Sequence, residues 1–98
     1  ADMAINLEAM RHLVYMAAKD TGLNGFPDEF TSSAAKILAA EGAVKITNMA
    51  MDLFGGYGYS KEFPIERYLR EAKGMLYVGG TTDVLRNAIG TYLKRSKT

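Results

Sequence analysis

Cysteine is absent from these 98 residues. That excludes disulfides, thiolate metal sites and cysteine nucleophiles, and it is compatible with a reducing compartment. No apolar run approaches the ~18 residues that a membrane-crossing helix needs, and no signal-peptide pattern opens the chain. Histidine occurs once, as His12, mid-helix and with no carboxylate or hydroxyl arranged around it, so it is read as structural. No His/Asp/Glu cluster has metal-ligand spacing, and no metal is expected. Neither charge sign dominates: 12 basic against 11 acidic residues leave a net charge of +1, which gives no electrostatic reason to expect nucleic acid. The basic end, Lys94-Arg95-Lys97, reads as a solvated helix terminus. Strand signals are weak, repeats are absent and no linker divides the chain. With 48% hydrophobic and 23% charged residues it is globular rather than disordered, one domain at most, with a modest core.

What is present is helical periodicity. Met3, Leu7, Met10, Val14 and Ala17, widened by Leu13 and Met16, form one face of an amphipathic helix over residues 3–19. Turn chemistry at Asp20-Thr21-Gly22 and Asn24-Gly25-Phe26-Pro27 ends it. Asp28 or Thr31 caps a second, longer helix running to about Phe54, with Ala34, Ile37, Leu38, Val44, Ala50, Met51 and Leu53 along it. Pro64 suits the first position of a short helix over 64–73, because its missing N–H would be unpaired there, and Gly74 stops it. Thr81 caps a last helix to about Arg95, carrying Leu85, Ala88, Ile89, Tyr92 and Leu93 on one side. The expectation is an all-α antiparallel helical bundle. Methionines and tyrosines fall mainly on helix faces, so core packing is their default role, with Tyr57 and Tyr59 placed to pack on a ring. The sequence opens at Ala1-Asp2 without an initiating methionine and already inside a helical pattern, as a piece of a longer protein would.

Two glycine clusters punctuate this pattern. Gly55-Gly56-Tyr57-Gly58-Tyr59 cannot continue the long helix cheaply, since each glycine costs about 1 kcal/mol against alanine. Gly79-Gly80 precedes Thr81, whose helix has free N–H groups at its start. Both clusters are compatible with plain tight turns and with close approach of backbone to a ligand. Neither is a Walker or dinucleotide fingerprint, because no strand precedes it and no Gly-Lys-Ser/Thr follows.

Four linked segments decide the matter. Ala35-Lys36, then Ala50-Met51-Asp52-Leu53-Phe54-Gly55-Gly56-Tyr57-Gly58-Tyr59, then Phe63-Pro64-Ile65-Glu66-Arg67-Tyr68-Leu69-Arg70-Glu71-Ala72-Lys73, then Gly80-Thr81-Thr82-Asp83-Val84-Leu85-Arg86 follow in order and spacing the pattern of the acyl-CoA dehydrogenases. The chain resembles the C-terminal helical domain of that family along essentially its whole length. The resemblance implies a bundle without its first helix, cut from a longer protein with an N-terminal helical domain and a central β-domain. It further implies FAD as cofactor, an acyl-CoA thioester as substrate, α,β-dehydrogenation, an electron-transfer flavoprotein as acceptor and a homo-oligomeric enzyme. The 98 residues alone would then be inactive and would contribute cofactor contacts, an active-site wall and part of the oligomer interface. The location implied is cytoplasmic for a bacterial protein, which is preferred, and the mitochondrial matrix for a eukaryotic one.

Residue by residue, the resemblance assigns Asp52, Leu53, Gly55, Gly56, Thr81 and Asp83 to the cofactor and Val78, Gly79 and Gly80 to the substrate. Asp52 stands where a glutamine commonly reaches the FAD of a neighbouring subunit. An aspartate can accept hydrogen bonds from ribose or adenine but repels a pyrophosphate, and it also reads as a solvated helix-end carboxylate. Asp83 likewise suits the helix dipole on its own. Many members carry the catalytic glutamate immediately before the glycine-threonine pair, where this sequence has Gly79, so no catalytic residue is assigned. Glu66 and Glu71 are no substitutes, since the family uses them with Arg67 and Arg70 as structural ion pairs. The Gly-Gly-Thr form resembles long-chain and isovaleryl-type members, whose base comes from an earlier helix. Further readings are a baseless subunit of a hetero-oligomer, a non-catalytic oligomerisation or binding module, and an acyl-CoA oxidase.

Overall fold

The computed structural model describes residues 1–19 and 28–96. The expected turns between residues 20 and 27, and Lys97, lie outside the described residues. Among the described residues five helices follow one another: α1 (Asp2–Lys19), α2 (Glu29–Phe54), α3 (Gly56–Tyr59), α4 (Ile65–Met75) and α5 (Thr82–Ser96). Among the described residues no strand occurs, so the all-α expectation holds.

Each boundary has a local cause. Of the two cap candidates for α2, Asp28 takes the position: its carboxylate accepts from the Thr31 backbone N–H at 3.1 Å and from the Thr31 hydroxyl at 3.3 Å. A cap of this kind stabilises a helix start by about 1 kcal/mol. The far end of α2 stops at Gly55, whose φ of +62° leaves the helical region while its N–H closes on the Met51 and Asp52 carbonyls. Beyond it the structure departs from the expectation, since the glycine-tyrosine segment winds into the one-turn helix α3. Gly58 makes this possible: a Cβ there would stand 2.8 Å from Phe54 Cβ and 3.0 Å from the Met51 carbonyl oxygen. Absence of a side chain lets α3 lie against α2, which outweighs the propensity cost.

Two boundaries of α4 also differ from the sequence reading. Pro64 sits one residue outside, at the N-cap, where its carbonyl accepts from Tyr68 N–H at 3.0 Å. Gly74 does not stop the helix, which continues to Met75. One glycine weakens a helix by about 1 kcal/mol without breaking it, and burial of Ile65 and Ala72 against α2 holds α4 in place. The Lys36 ammonium donates to the Met75 carbonyl at the C-terminal end of α4, where a cation is favoured. The Thr81 hydroxyl caps α5 as expected, accepting from Val84 N–H at 3.2 Å.

Helix α2 is the axis of the domain. Among the described residues, α1, α4 and α5 each pack on α2 and not on one another. α1 crosses at Gly42, where a Cβ would lie 2.5 Å from Met10 Sδ. α4 returns antiparallel, from Phe63 beside Phe54 (ring centroids 5.8 Å apart) to Met75 beside Lys36. α5 is also antiparallel, pairing Arg86 with Glu41 and Arg95 with Glu29. The Arg95 pair modifies the reading of the basic end as simply solvated.

This arrangement buries little. The buried apolar set is Ala17, Ala35, Ile37, Ala40, Ile65 and Ala72, and the described residues contain no fully buried large side chain. The accessible surface is 7088 Å², against about 5500 Å² for a compact monomer of 10.7 kDa. Several residues expected in the core are therefore open, among them Leu7, Val14, Leu38, Leu53 and Leu93. The core default fails for Met16, Met75, Tyr15, Tyr68 and Tyr77, all more than 45% exposed. Three helices that share one partner each hide only a single stripe. His12 is exposed too, and unlike the sequence reading it does have a carboxylate neighbour, with Glu8 3.8 Å away.

Candidate functional site

The residues singled out in the sequence fall into two groups at different heights on α2. The first is the end of α2 with α3. Asp52 and Leu53 are exposed there, and a Cβ at Gly55 or Gly56 would meet nothing within 4 Å. Tyr57 sets its ring edge-on to Phe63, with centroids 5.9 Å apart, so it packs on a neighbour within the chain. Tyr59 is 85% exposed and stays free to meet another surface.

The second group is the turn between α4 and α5. Gly79 and Gly80 have φ of 72° and 100°, conformations that side chains rarely adopt. Val78 and Gly79 are exposed and Gly80 and Thr81 half-buried. Asp83, in the first turn of α5, is exposed, where a carboxylate suits the helix start on its own account.

The structure does not bring these groups together. Arg86, which follows the second group, pairs with Glu41, whereas the first group follows Phe54; from Glu41 to Gly55 α2 runs fourteen residues, about 20 Å along a helix. A flavin dinucleotide is long, and the bare backbone at Gly55, Gly56 and Gly79 suits close approach by such a group. The exposed Asp52 carboxylate does not suit its diphosphate.

Glu41 was overlooked in the sequence. It accepts both ends of the Arg86 guanidinium, Nη1 to Oε2 and Nη2 to Oε1 at 2.6 Å each. The hydrogen bonds from Arg86 hold its carboxyl below the ordinary 4.5 against the opposing effect of burial, helped by the Arg86 charge and a hydrogen bond with Thr82. Glu41 is the sole carboxylate of α2 between Glu29 and Asp52, but no local motif marks it or its partner.

Three grooves flank α2 among the described residues, one of them, about 680 Å³, between α2 and α4 with Ala43, Thr47, Met75 and Val78. Another, of about 610 Å³, lies between α1, α2 and α5 and is lined by residues including Leu13, Ile37, Ile89, Glu41, Lys45 and Arg86. The third, about 850 Å³, lies between α2 and α4 and includes Met51, Leu69, Tyr59, Tyr77, Arg70 and Lys73. Of the ion pairs expected in α4, Arg67–Glu71 forms at 3.9 Å. Glu66 and Arg70 do not pair among the described residues; both face the third groove.

Comparison with known proteins fits this geometry. The family model described as "Acyl-CoA dehydrogenase, C-terminal domain" matches residues 1–94. An acyl-CoA dehydrogenase of Bacillus subtilis is 45% identical over 95 residues, which are 95% of this chain and 24% of that protein. A 3-sulfinopropanoyl-CoA desulfinase of Paraburkholderia xenovorans is 43% identical over 94 residues, again 95% and 24%. The butyryl-CoA dehydrogenase structure from Megasphaera elsdenii superposes with a TM-score of 0.88 at 39% identity, covering 96% of this chain and 24% of that one. The chain thus spans about a quarter of the length of the relatives it matches. With the helix order, both glycine turns and nearly every residue of the chain in register, it belongs to the acyl-CoA dehydrogenase family as a C-terminal domain.

Proposed function

We propose that this chain is the C-terminal domain of an FAD-dependent enzyme that dehydrogenates an acyl-CoA thioester between Cα and Cβ. The observation that carries this reading is the family match over residues 1–94, with the motifs around Gly55 and Thr81 inside it. Thr81 and Asp83 at the start of α5, and Asp52, Leu53, Gly55 and Gly56 at the end of α2, contact the cofactor. Bound FAD supplies the acceptor for a hydride. Val78, Gly79 and Gly80 form a wall of the acyl-CoA site, where exposed backbone N–H groups can orient a thioester carbonyl. Gly79 carries no base, so the α-proton is taken by a carboxylate outside these 98 residues.

The placement of the two glycine groups at different heights on α2 supports a homo-oligomer in which each copy serves its own cofactor with one loop and a neighbour's with the other. An electron-transfer flavoprotein takes the electrons, and the compartment is the cytoplasm of a bacterium. Among the described residues no helix is long and apolar enough to cross a membrane.

The test is expression of the full-length gene. Yellow flavin absorbance bleached by an acyl-CoA is the expected result; neither absorbance nor bleaching would refute the reading, and hydrogen peroxide production would redirect it to an oxidase.

A second reading is favoured by Gly79 together with the desulfinase relative. Cleaving a Cβ–sulfinate bond with water puts a proton on Cβ and a hydroxyl on sulfur, leaving both Cα–H bonds intact. Such a reaction needs no base at position 79 and no net electron acceptor. Sulfite release from 3-sulfinopropanoyl-CoA without acyl-CoA-dependent bleaching would select it.

A further inference from the structure

We infer that Glu41 is a positioning residue: by holding Arg86 it fixes the start of α5, and with it the Gly79–Asp83 segment, against α2 and sets how tightly the protein binds its flavin. The inference rests on the assignment of Thr81 and Asp83 to the cofactor made above, and it adds a residue that no motif of the sequence pointed to.

Three observations lead to it. First, the pose of α5 depends on α2 alone, because neither α1 nor α4 packs on α5 among the described residues. Helix α5 has no fully buried residue among those described; a half-buried stripe of Leu85, Ala88, Ile89 and Tyr92 and the Phe30–Tyr92 ring contact near its far end, 5.7 Å between centroids, leave its start to be fixed by polar contacts. Second, the Glu41–Arg86 contact uses both carboxylate oxygens and both terminal guanidinium nitrogens, each at 2.6 Å. A two-pronged planar contact fixes orientation as well as distance, which a single ammonium–carboxylate contact does not. Arg86 stands in the second turn of α5, so this one carboxylate holds the helix near its start. Third, the preceding turn has little anchorage of its own. Chain neighbours aside, nothing lies within 4 Å of where a Gly79 side chain would begin, and at Gly80 Leu85 of α5 comes that close. On its C-terminal side the turn therefore takes its position from the start of α5, and that start is tied to α2 through Glu41.

The same two helices hold an internal control. Arg95–Glu29, with one contact at 2.9 Å, ties the other end of α5 to the start of α2. It lies nine residues from Arg86, about 14 Å along the helix and away from the turn. If ion pairing merely stapled α5 to α2, both pairs would act alike. If Glu41 positions the turn, only its pair affects the flavin.

The experiment uses the full-length flavoprotein. The FAD dissociation constant is measured by titrating apoprotein and following flavin fluorescence, with melting temperature and kcat and KM recorded for each variant. E41Q keeps the shape and removes the charge; R86K keeps the charge and removes the fork; E41D serves if E41Q does not fold. E41Q and R86K are each expected to weaken FAD binding by roughly threefold to tenfold, as suits a charge-assisted but half-exposed contact. E29Q is expected to leave the FAD constant within about twofold, in the absence of any link to the turn. Equal effects of E41Q and E29Q on FAD binding, or a fall in melting temperature with unchanged FAD affinity in E41Q and R86K, would overturn the inference. A wild-type protein that binds no flavin would remove the functional reading and this inference together. Wild-type binding that E41Q and R86K leave intact would remove this inference alone.

Discussion

Replacing Gly58 with alanine sets helix propensity against packing, and the structure supplies the terms needed to decide the sign. Propensity favours alanine by up to about 1 kcal/mol in a helix interior, and by less in a single turn such as α3. Packing opposes it, because the new Cβ would stand 2.8 Å from Phe54 Cβ, 3.0 Å from the Met51 carbonyl oxygen and 3.3 Å from Met51 Cγ. The first two atoms are fixed to the backbone of α2, so relief requires α3 to move away from it. Overpacking of this kind costs about 1–3 kcal/mol, leaving a net loss of about 1–2 kcal/mol. Gly74→Ala is the matched comparison: it is helical, with nothing within 4 Å of the new Cβ, so propensity alone acts. It should gain about 1 kcal/mol. The difference of about 2–3 kcal/mol corresponds to about 10 °C or more in melting temperature for a domain of this size. Circular-dichroism melts of both variants and the parent, at one protein concentration, measure it. Gly58→Ala melting at or above Gly74→Ala would show that contact with α2 does not explain the glycine. Displacing α3 also moves Gly55 and Gly56, so in the full-length protein Gly58→Ala should weaken flavin binding while Gly74→Ala should not.

Three further outcomes are expected. Asp52→Gln removes a negative charge from the end of α2 and should tighten FAD binding several-fold in the full-length protein, most at low salt; unchanged affinity at all salt concentrations would place Asp52 away from the diphosphate. The folded pKa of Glu41 is lowered, so its stabilising contribution is complete above the unfolded value of 4.5 and is lost as pH falls through the folded value. Arg86 stays protonated throughout, so the acid-side decline in stability should shrink in E41Q, and an identical pH profile for parent and E41Q would refute the assignment. The isolated chain, with Leu53, Tyr57, Tyr59 and Tyr77 each more than 60% exposed, should self-associate as its concentration rises; light scattering from a stable compact monomer at high concentration would contradict that.

Helix identity was legible because it depends on local terms. The Asp28 cap, the Gly55 break and the Thr81 cap each rest on residues within four positions of one another, and each occurs as the sequence implies or as one of its two options. Glycine inside a helix was less legible. Gly74 has the same propensity cost as a stop signal, yet packing of Ile65 and Ala72 carries α4 past it. Gly58 reads as a helix breaker, whereas its lack of a side chain is what admits α3 beside α2. Burial was the least legible property. Apolar periodicity tells which face of a helix seeks cover but not how many partners provide it, and with α2 as the shared partner Leu38 and Leu53 remain open. Glu41 was invisible for a related reason: its partner Arg86 is 45 positions away, and no local pattern encodes that distance.

The Gly55 loop and the Gly79 loop look interchangeable in sequence, and the fold separates their duties. Gly55 ends α2 directly, so its position follows from the central helix and is as rigid as that helix. Gly79 follows α4 and precedes α5, two helices that do not touch among the described residues, so its position depends on how each is tied to α2. The ties are Lys36 to the Met75 carbonyl on one side and Glu41 to Arg86 on the other, which places both anchors of the second turn on α2, five residues apart. On an α-helix five residues advance about 7.5 Å, close enough for one stretch of α2 to set both sides of the turn together. Lys36 lies within the Ala35-Lys36 motif and Arg86 within the motif that begins at Gly80. Their separation in sequence thus becomes a single mechanical support, in which α2 acts as the rail on which the proposed substrate wall is mounted.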